Sequence, residues 1–270
     1  ATGTVVISDF FDLTTWDPTQ FFQRSIGTDP WQAMHVTPYG YIVLPGTQTG
    51  ETWYNAGAFP IPFEPDPSGQ FARGIAATFS IQQIGEGVAW LSRGVEGDYQ
   101  VVRQSGFLPQ RIATHAVERS LAEMSADSRI DDAIGQVYGD RGHLFYLLTF
   151  QRAGKTWCFD ATAHGQVNAW HERGTWLAAS NAYTYWRPVF HTFAFGEHLM
   201  GDPESSVVYR LSSDSSTDVG DLPIRRLRVS PTFLADHARI TISRIELLFE
   251  TGVGTSTGQG SDPVVMLRVS

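Results

Sequence analysis

The sequence predicts an all-β protein, a β-propeller of repeated antiparallel blades with one short α-helix. Three observations predict it. Short strand-like segments alternate along the whole chain with Gly, Pro, Asn and Asp, which favour turns. Aromatic residues, which suit half-buried pleated surfaces, make up 13% of the 270 residues. Strand pairs with a common layout recur about every fifty residues, which is typical of propeller blades.

Four strand pairs carry this repeat, at 41–44 with 51–55, 88–91 with 99–103, 144–148 with 155–160, and 193–200 with 206–210. Aligning Tyr54, Val101, Cys158 and Tyr209 gives steps of 47, 57 and 51 residues. Val6 lies 48 residues before Tyr54 and predicts a first unit that lacks its early strands. The repeat favours a propeller over a sandwich or barrel, with about five or more blades and a set that need not be complete in this chain.

The dipeptide Thr-Trp marks several hairpins and occurs at 15–16, 52–53, 156–157 and 175–176. Two copies follow Gly50 and Gly154, where we expect glycine to supply a positive φ. The tryptophans are predicted to pack one blade against the next. A platform for stacking carbohydrate is the alternative interpretation.

One helix is predicted at 114–125, because apolar residues recur there at helical spacing after the N-cap candidate Thr114. The apolar positions are Ala113, Ala116, Val117, Leu121 and Met124. A short helical turn is predicted at 19–23. Long loops are predicted at 57–73, 177–188 and 212–222, and late strands at 224–229, 240–250 and 264–269. The strand at 240–250 could pair with the first blade and close the ring.

Charge and composition limit the possible functions. The net charge of −9 disfavours tight DNA binding over a broad face, since such binding depends on lysine and arginine. Arg225, Arg226 and Arg228 are interpreted as a solvated edge. The single cysteine, Cys158, excludes an intrachain disulfide, and neither a signal peptide nor a transmembrane helix is predicted. We expect one domain over 1–270 that is a fragment of a longer chain.

No motif predicts catalysis. His171 and Glu172, with His164 nearby, do not have zinc-site spacing. Asp131 and Asp132 are adjacent, so on a strand they would face opposite ways, and a capping role is preferred. The segment from Ser8 to Trp16 faintly resembles the Asp-box turn of sialidase-type propellers, a structural feature. No Walker loop, nucleophile elbow, metalloprotease or dinucleotide motif is found. We therefore assign no catalytic, cofactor-binding or metal-binding residue.

An ordered set of short strings resembles one family over nearly the whole chain, from Val5 to Ser270. The strings are Ile7–Asp9, Thr15–Asp17, Glu51–Gly57, Pro62–Glu64, Arg73–Gly74, Pro109–Ile112, Thr114–Ala116, Arg129–Ile134, Gly142–His143, Phe145–Tyr146, Leu148–Phe150, Lys155–Trp157, Trp170–Arg173, Gly201–Asp202 and Pro223–Arg226. In this order they resemble the packaged-DNA stabilisation proteins of short-tailed phages, also called tail hub, stopper or nozzle proteins.

The resemblance implies a non-enzymatic virion protein of the short tail or head-to-tail connector, assembled in the host cytoplasm. It implies a homo-oligomeric ring, expected to be a hexamer, that contacts portal or adaptor and distal tail proteins. DNA would pass through the channel without sequence-specific binding, and no cofactor or membrane is implied. A carbohydrate-binding or glycoside-cleaving propeller, such as a receptor-binding tail component, is the alternative. A peptide-binding cellular scaffold is a third hypothesis.

Overall fold

Successive short antiparallel sheets form the framework of the described part of the chain in a computed structural model. The residues described are 3–9, 11–25, 27–127, 130–163, 165, 169–177, 179–212, 215, 217–218, 222–229, 241–246 and 267. They fall in two compact units, Ala1–Leu211 and Ser212–Ser270. The single domain over 1–270 stays a prediction.

The first unit holds five sheets in chain order. The first pairs β1 (Thr4–Val6) with β2 (Phe21–Gln23). The second has four strands: β3 (His35–Val36), β4 (Ile42–Pro45), β5 (Gly50–Asn55) and β6 (Phe63–Phe71). In the third, β7 (Gly74–Ile75) and β8 (Gln82–Ile84) both pair with β9 (Gly87–Arg93), followed by β10 (Tyr99–Gln104) and β11 (Pro109–Arg111).

The remaining strands continue the pattern. The fourth sheet contains β12 (Ile134–Asp140), β13 (His143–Phe150), β14 (Lys155–Asp160), β15 (Trp170–Leu177) and β16 (Ala182–Tyr185). The fifth contains β17 (Val189–Ala194), β18 (Glu197–Gly201) and β19 (Val208–Leu211). In the second unit, β20 (Thr217–Asp218) pairs with β21 (Leu222–Pro223).

The predicted repeat is confirmed in these sheets. The four predicted strand pairs form the hairpins β4–β5, β9–β10, β13–β14 and β18–β19. The aligned residues Tyr54, Val101, Cys158 and Tyr209 lie in β5, β10, β14 and β19, each the strand that follows the central hairpin turn. Val6 lies in β1 of a two-stranded sheet, as predicted for a unit without its early strands.

Neighbouring sheets contact one another through their inner strands. Strand β12 contacts β8 of the preceding sheet and β17 of the following one. The hydroxyl of Tyr146 donates a 2.7 Å hydrogen bond to the carbonyl oxygen of Ser80, which belongs to a 3₁₀ turn (Thr78–Ser80) before β8. Gln104 Nε2 donates to Thr52 Oγ1 at 2.9 Å, joining the third sheet to the second. The sheets therefore stand side by side like successive blades.

The predicted helix is confirmed as α1 (His115–Asp127), between β11 and β12. Thr114 caps it, because its Oγ1 accepts a hydrogen bond from the amide of Val117 (3.4 Å). Leu121 and Met124 pack in the core as predicted, whereas Ala116 is exposed. Ser120 takes the buried position instead, and its Oγ accepts a hydrogen bond from Trp157 Nε1 (3.3 Å).

The Thr-Trp dipeptides have different roles. Trp53 and Trp157 are buried between elements, as predicted. Trp176 is half-buried and packs edge-on against Tyr183 of its own sheet, and Trp16 is exposed. Gly154 has the expected positive φ of 64°. Gly50 does not, and the reason for glycine there is the ring of Phe71, which would lie 2.2 Å from an added Cβ.

Several element predictions are wrong. The helical turn at 19–23 is strand β2 in the structure, since Asp17 ends the preceding loop by accepting a hydrogen bond from the Thr19 amide (2.8 Å). The loop at 57–73 contains strand β6, whose prolines are tolerated because it is an outer strand. The loop at 177–188 contains β16.

The predictions for the second unit are tested only in part. Residues 224–229 are exposed and lie in no strand, which agrees with the solvated edge predicted for the three arginines but not with a strand. Residues 241–246 also lie in no strand. Residues 240 and 247–250 lie outside the described residues. The same is true of the predicted strand at 264–269 except for Leu267, and of part of the predicted loop at 212–222. Ring closure therefore stays a prediction.

Candidate functional site

The residues considered as metal ligands lie on the outer part of the fourth sheet. His171 and Glu172 are exposed on β15. His171 Nε2 accepts a hydrogen bond from Arg173 Nε (3.3 Å), and Glu172 forms a 3.1 Å ion pair with Lys155. His164 lies outside the described residues. Within the described residues, no three potential ligands are grouped so that they could hold a metal ion.

The adjacent carboxylates Asp131 and Asp132 have a structural role. They lie in the turn before β12, and both contact Arg152 in the β13–β14 turn. The amide of Arg152 donates to Asp132 Oδ2 (2.9 Å), and its guanidinium lies 3.6 Å from Asp131 Oδ1. The pair thus ties the start of β12 to the neighbouring hairpin, in agreement with the predicted capping role.

The segment compared with an Asp-box forms a closed turn around Asp12. The carboxylate accepts hydrogen bonds from the Thr14 amide (2.8 Å), Thr14 Oγ1 (2.6 Å) and Thr15 Oγ1 (2.7 Å). The hydrogen bonds from Thr14 and then Thr15 lower the pKa of Asp12 to about 2. Asp12 therefore stays ionised at neutral pH and fixes the loop between β1 and β2.

A buried ionic cluster joins the first two sheets at one end. Arg24 and Glu51 are almost completely buried, with side chains 6% and 2% exposed. Arg24 Nε lies 3.5 Å from Glu51 Oε1, and Arg24 Nη2 lies 3.2 Å from Asp29 Oδ1 and also bonds Thr49 Oγ1. Trp53 Nε1 donates to Glu51 Oε2 at 3.0 Å. We call these residues the Arg24 cluster.

Asp29 links this cluster to the β4–β5 turn. Burial alone would raise the pKa of Asp29, but hydrogen bonds from Thr49 and Gln48 and the charge of Arg24 lower it to about 2. The ionised form therefore stabilises the fold above the ordinary pKa of 3.8, and this stabilisation is lost as the pH falls towards 2.

We accordingly expect the free energy of unfolding to decrease between pH 5 and pH 2, and to decrease less in Asp29→Asn. The substitution removes the proton uptake at this site. Urea denaturation followed by tryptophan fluorescence at each pH measures the difference. An identical pH dependence in the two proteins would contradict the assignment.

A second ionic cluster joins the fourth and fifth sheets. Asp202 is buried and accepts hydrogen bonds from Arg187 Nη2 (2.8 Å) and the Tyr209 hydroxyl (2.5 Å). Burial would raise the pKa of Asp202, but the bonds from Arg187 and Tyr209 hold it well below its usual range. Arg187 also pairs with Glu204 (3.3 Å), which accepts a hydrogen bond from Tyr185 at the end of β16.

The turns of each antiparallel sheet alternate between two ends. The turns β3–β4 and β8–β9 lie at the same end, because the side chain of Tyr39 in the first lies beside Glu86 in the second. The rings of Tyr41 and Phe107 lie 5.6 Å apart there. The fourth sheet has the same orientation, because Leu144, next to the β12–β13 turn, would lie 3.6 Å from a Cβ added to Gly85 in the β8–β9 turn. The fifth sheet follows the fourth, since the rings of Tyr138 and His198, near the β12–β13 and β17–β18 turns, lie 5.9 Å apart. The loop after β1 lies at this end too, because Arg24, at the other end of the β1–β2 pair, bonds Thr49 of the opposite β4–β5 turn.

Several large apolar side chains are exposed at this end. Six of them, each between 55% and 97% exposed, define it: Phe11, Leu13, Trp16, Tyr39, Phe59 and Phe195. We call this the aromatic end. The turns at the opposite end, at 46–49, 94–98, 151–154 and 202–207, contain no aromatic residue, and we call it the polar end.

Phe195 adopts a backbone conformation that disfavours phenylalanine. Phe195 and Gly196 connect the paired residues Ala194 and Glu197 with φ of 57° and 78°. This is a two-residue turn with both central φ positive, for which Asn-Gly is preferred. A residue with a Cβ is destabilised by about 1–2 kcal/mol in the left-handed region. Because Phe195 is also 97% exposed, contacts within the fold do not offset this destabilisation.

We therefore expect Phe195→Asn to raise the free energy of unfolding by about 1 kcal/mol, because Asn tolerates the left-handed region. Urea denaturation measures the change. Phe195→Ala is the control, since it removes the ring but keeps a Cβ with positive φ, and it should bring no such gain. A destabilised Phe195→Asn protein would show that the ring itself supports the fold.

The comparison with known families agrees with this architecture. Residues 1–216 match the family described as Bacteriophage P22 Gp10, beta-propeller. The chain belongs to this family.

Membership of the Gp10 family confirms both the predicted β-propeller and the predicted relationship. It also gives the chain a phage structural role. No curated protein matches the sequence. In the described part of the chain, no helix is long and apolar enough to cross a membrane.

The sequence reasoning did not find the aromatic end or the two ionic clusters. The Phe-Gly pair at 195–196 was an available signal, because a tight hairpin demands Asn or Gly where this chain has Phe. The Arg24 cluster gave no comparable signal, since its members come from two separate segments and follow no spacing rule.

Proposed function

We propose that this Gp10-family chain acts in the short tail or head-to-tail connector as a nozzle or stopper ring that retains packaged DNA. The family match over residues 1–216 is the observation that carries the proposal. In this role the chain works mechanically, without catalysis and without a cofactor. It docks portal or adaptor proteins on one side and distal tail proteins on the other.

The contacts between sheets support a mechanical role. Two polar contacts join the fourth and fifth sheets: the partly buried bond from Arg187 to Asp202 (2.8 Å) and the buried bond from Gln136 Nε2 to the Pro188 carbonyl (3.1 Å). Gln104 and Tyr146 join the earlier sheets in the same way. Buried hydrogen-bonded contacts resist separation, because a broken bond leaves an unsatisfied polar group.

The charge supports steric rather than adhesive retention of DNA. With a net charge of −9, the chain repels a phosphate backbone, so DNA can slide past without being held. We infer a homo-oligomeric ring, with six copies as the expected number, assembled in the host cytoplasm and carried in the virion. The gate would be formed by the long loops predicted at 57–73, 177–188 and 212–222. The first two contain β6 and β16, so a gate there would consist of strand ends and turns and not of an irregular loop.

Particles of the parent phage assembled without this chain test the proposal. We expect them to package DNA and then lose it, so that most of the DNA becomes sensitive to added nuclease. Supplying the chain in trans should restore protection. Imaging of complemented particles should place the chain as a ring in the tail. Full nuclease protection in its absence would contradict DNA retention, and a position outside the tail would contradict the nozzle or stopper assignment.

A further inference from the structure

We propose that the aromatic end is a docking surface for a different virion protein, whose contact face offers apolar pockets bordered by lysine and arginine. This inference rests on the proposed function and specifies the surface and the chemistry of the partner. It is carried by the exposed side chains, their backbone conformation and the charges around them.

The exposed apolar side chains suit a binding surface. The six that define the aromatic end are five aromatics and one leucine. An aromatic side chain buries about 150–250 Å² when it is covered. A standard protein interface buries about 800 Å² on each partner, so a partner that covers four or five of these side chains would reach that size.

Three of the exposed side chains lie on backbone segments that are already fixed in the free chain. Phe195 lies at the tip of a two-residue turn between paired strands. Trp16 and Leu13 flank the closed turn around Asp12, and Trp16 Nε1 donates to the Leu13 carbonyl at 3.1 Å. Rigid anchors lose little conformational entropy on binding. The cost of a left-handed phenylalanine at 195 is also explained if the ring serves an interaction.

The surrounding charges indicate the kind of partner. Among the described residues, the turns of the aromatic end contain Asp9, Asp12, Asp17 and Glu86 but one lysine or arginine, Arg141. The hydrogen bonds to Asp12 keep it ionised at neutral pH. Two copies meeting through this end would bring like charges together, and an anionic lipid surface would be repelled in the same way. A protein face with basic residues around apolar pockets complements both the exposed apolar side chains and the negative charge of the aromatic end.

Site-specific photocrosslinking in the phage particle tests the inference. The chain would carry p-benzoylphenylalanine in place of Phe195 in one variant and in place of Val95, at the polar end, in a matched control. Mass spectrometry of purified particles first verifies that each variant is incorporated. After irradiation, we expect the 195 variant to crosslink to a peptide of a different virion protein with more Lys and Arg than Asp and Glu. The 95 variant should not crosslink to that peptide.

A second variant separates docking from folding. In particles with Phe195→Asn, we expect at least a tenfold loss of the virion protein identified by the crosslink, or at least a tenfold loss of infectious particles. The unfolding midpoint of this variant should be no lower than that of the unmodified chain. The inference would be overturned if position 195 crosslinked only to a second copy of the chain or only to lipid. It would also be overturned if particles that contain the chain gave no crosslink from this position. Absence of the unmodified chain from particles would instead contradict the proposed function.

Discussion

Glu51→Ala should destabilise the first unit by about 3–5 kcal/mol, because it removes one of the two carboxylates that pair with the buried Arg24 and the acceptor of several further hydrogen bonds. Glu51 is 2% exposed and lies 3.5 Å from the guanidinium of Arg24, which is itself buried. The same carboxylate accepts hydrogen bonds from Trp53 Nε1 (3.0 Å) and from the amides of Ser25 and Gly27 (3.3 Å each). Alanine would therefore remove the acceptor of the buried Trp53 Nε1 and of two partly buried amides.

Urea denaturation with fluorescence detection measures the effect, and Trp53 reports directly on the site. The control is Asp98→Ala, which breaks the exposed ion pair between Arg73 and Asp98 (2.6 Å). Exposed pairs contribute about 0–1 kcal/mol, so this substitution should have little effect. If the two variants lost the same free energy of unfolding, the buried Arg24 cluster would contribute no more to stability than an exposed ion pair.

The repeat was predictable from sequence because each hairpin is a local event. Alternating apolar residues, a short turn and a matching partner strand lie within about twenty residues of one another, as in β4–β5 and β13–β14. The helix was predictable for the same reason, since Thr114 and the apolar face from Val117 to Met124 are read within one segment.

The errors arose where local signals compete with position in a sheet. Four prolines between 60 and 67 suggested a loop, yet Pro65 and Pro67 lie in β6, an outer strand that does not need every amide for pairing. The two phenylalanines of β2 were mistaken for part of a helical turn, and their strand pairs with β1 across a long loop. Neither outcome is decided by the residues of the segment alone.

The candidate sites were the least predictable part of the molecule. Phenylalanine is usually buried, so no residue pattern indicates that Phe11 and Phe59 are exposed. Their shared location follows from the alternation of turns between two ends of each sheet, which requires the sheet order. Asp202 and Arg187 likewise meet only because the fourth and fifth sheets stand side by side.

Gly135→Ala should destabilise the first unit by about 2–5 kcal/mol, because it forces two neighbouring sheets apart. Gly135 lies in β12, and an added Cβ would be 2.3 Å from the carbonyl oxygen of Ser80. That oxygen accepts the 2.7 Å hydrogen bond from the buried Tyr146 hydroxyl. Moving Ser80 away would relieve the clash but leave the Tyr146 hydroxyl without its acceptor. Thermal and urea denaturation measure the loss of stability.

Gly139→Ala is a matched control in the same strand, because the nearest atom to its added Cβ is 3.6 Å away. We expect it to be neutral or to stabilise the strand by less than about 1 kcal/mol, since alanine restricts the unfolded chain more than glycine does. Tyr146→Phe isolates the lost hydrogen bond and should cost less than Gly135→Ala. If the two glycine variants were equally stable, β12 would not pack closely against the turn before β8. The side-by-side arrangement of sheets, on which the mechanical role depends, would then lose its most direct support.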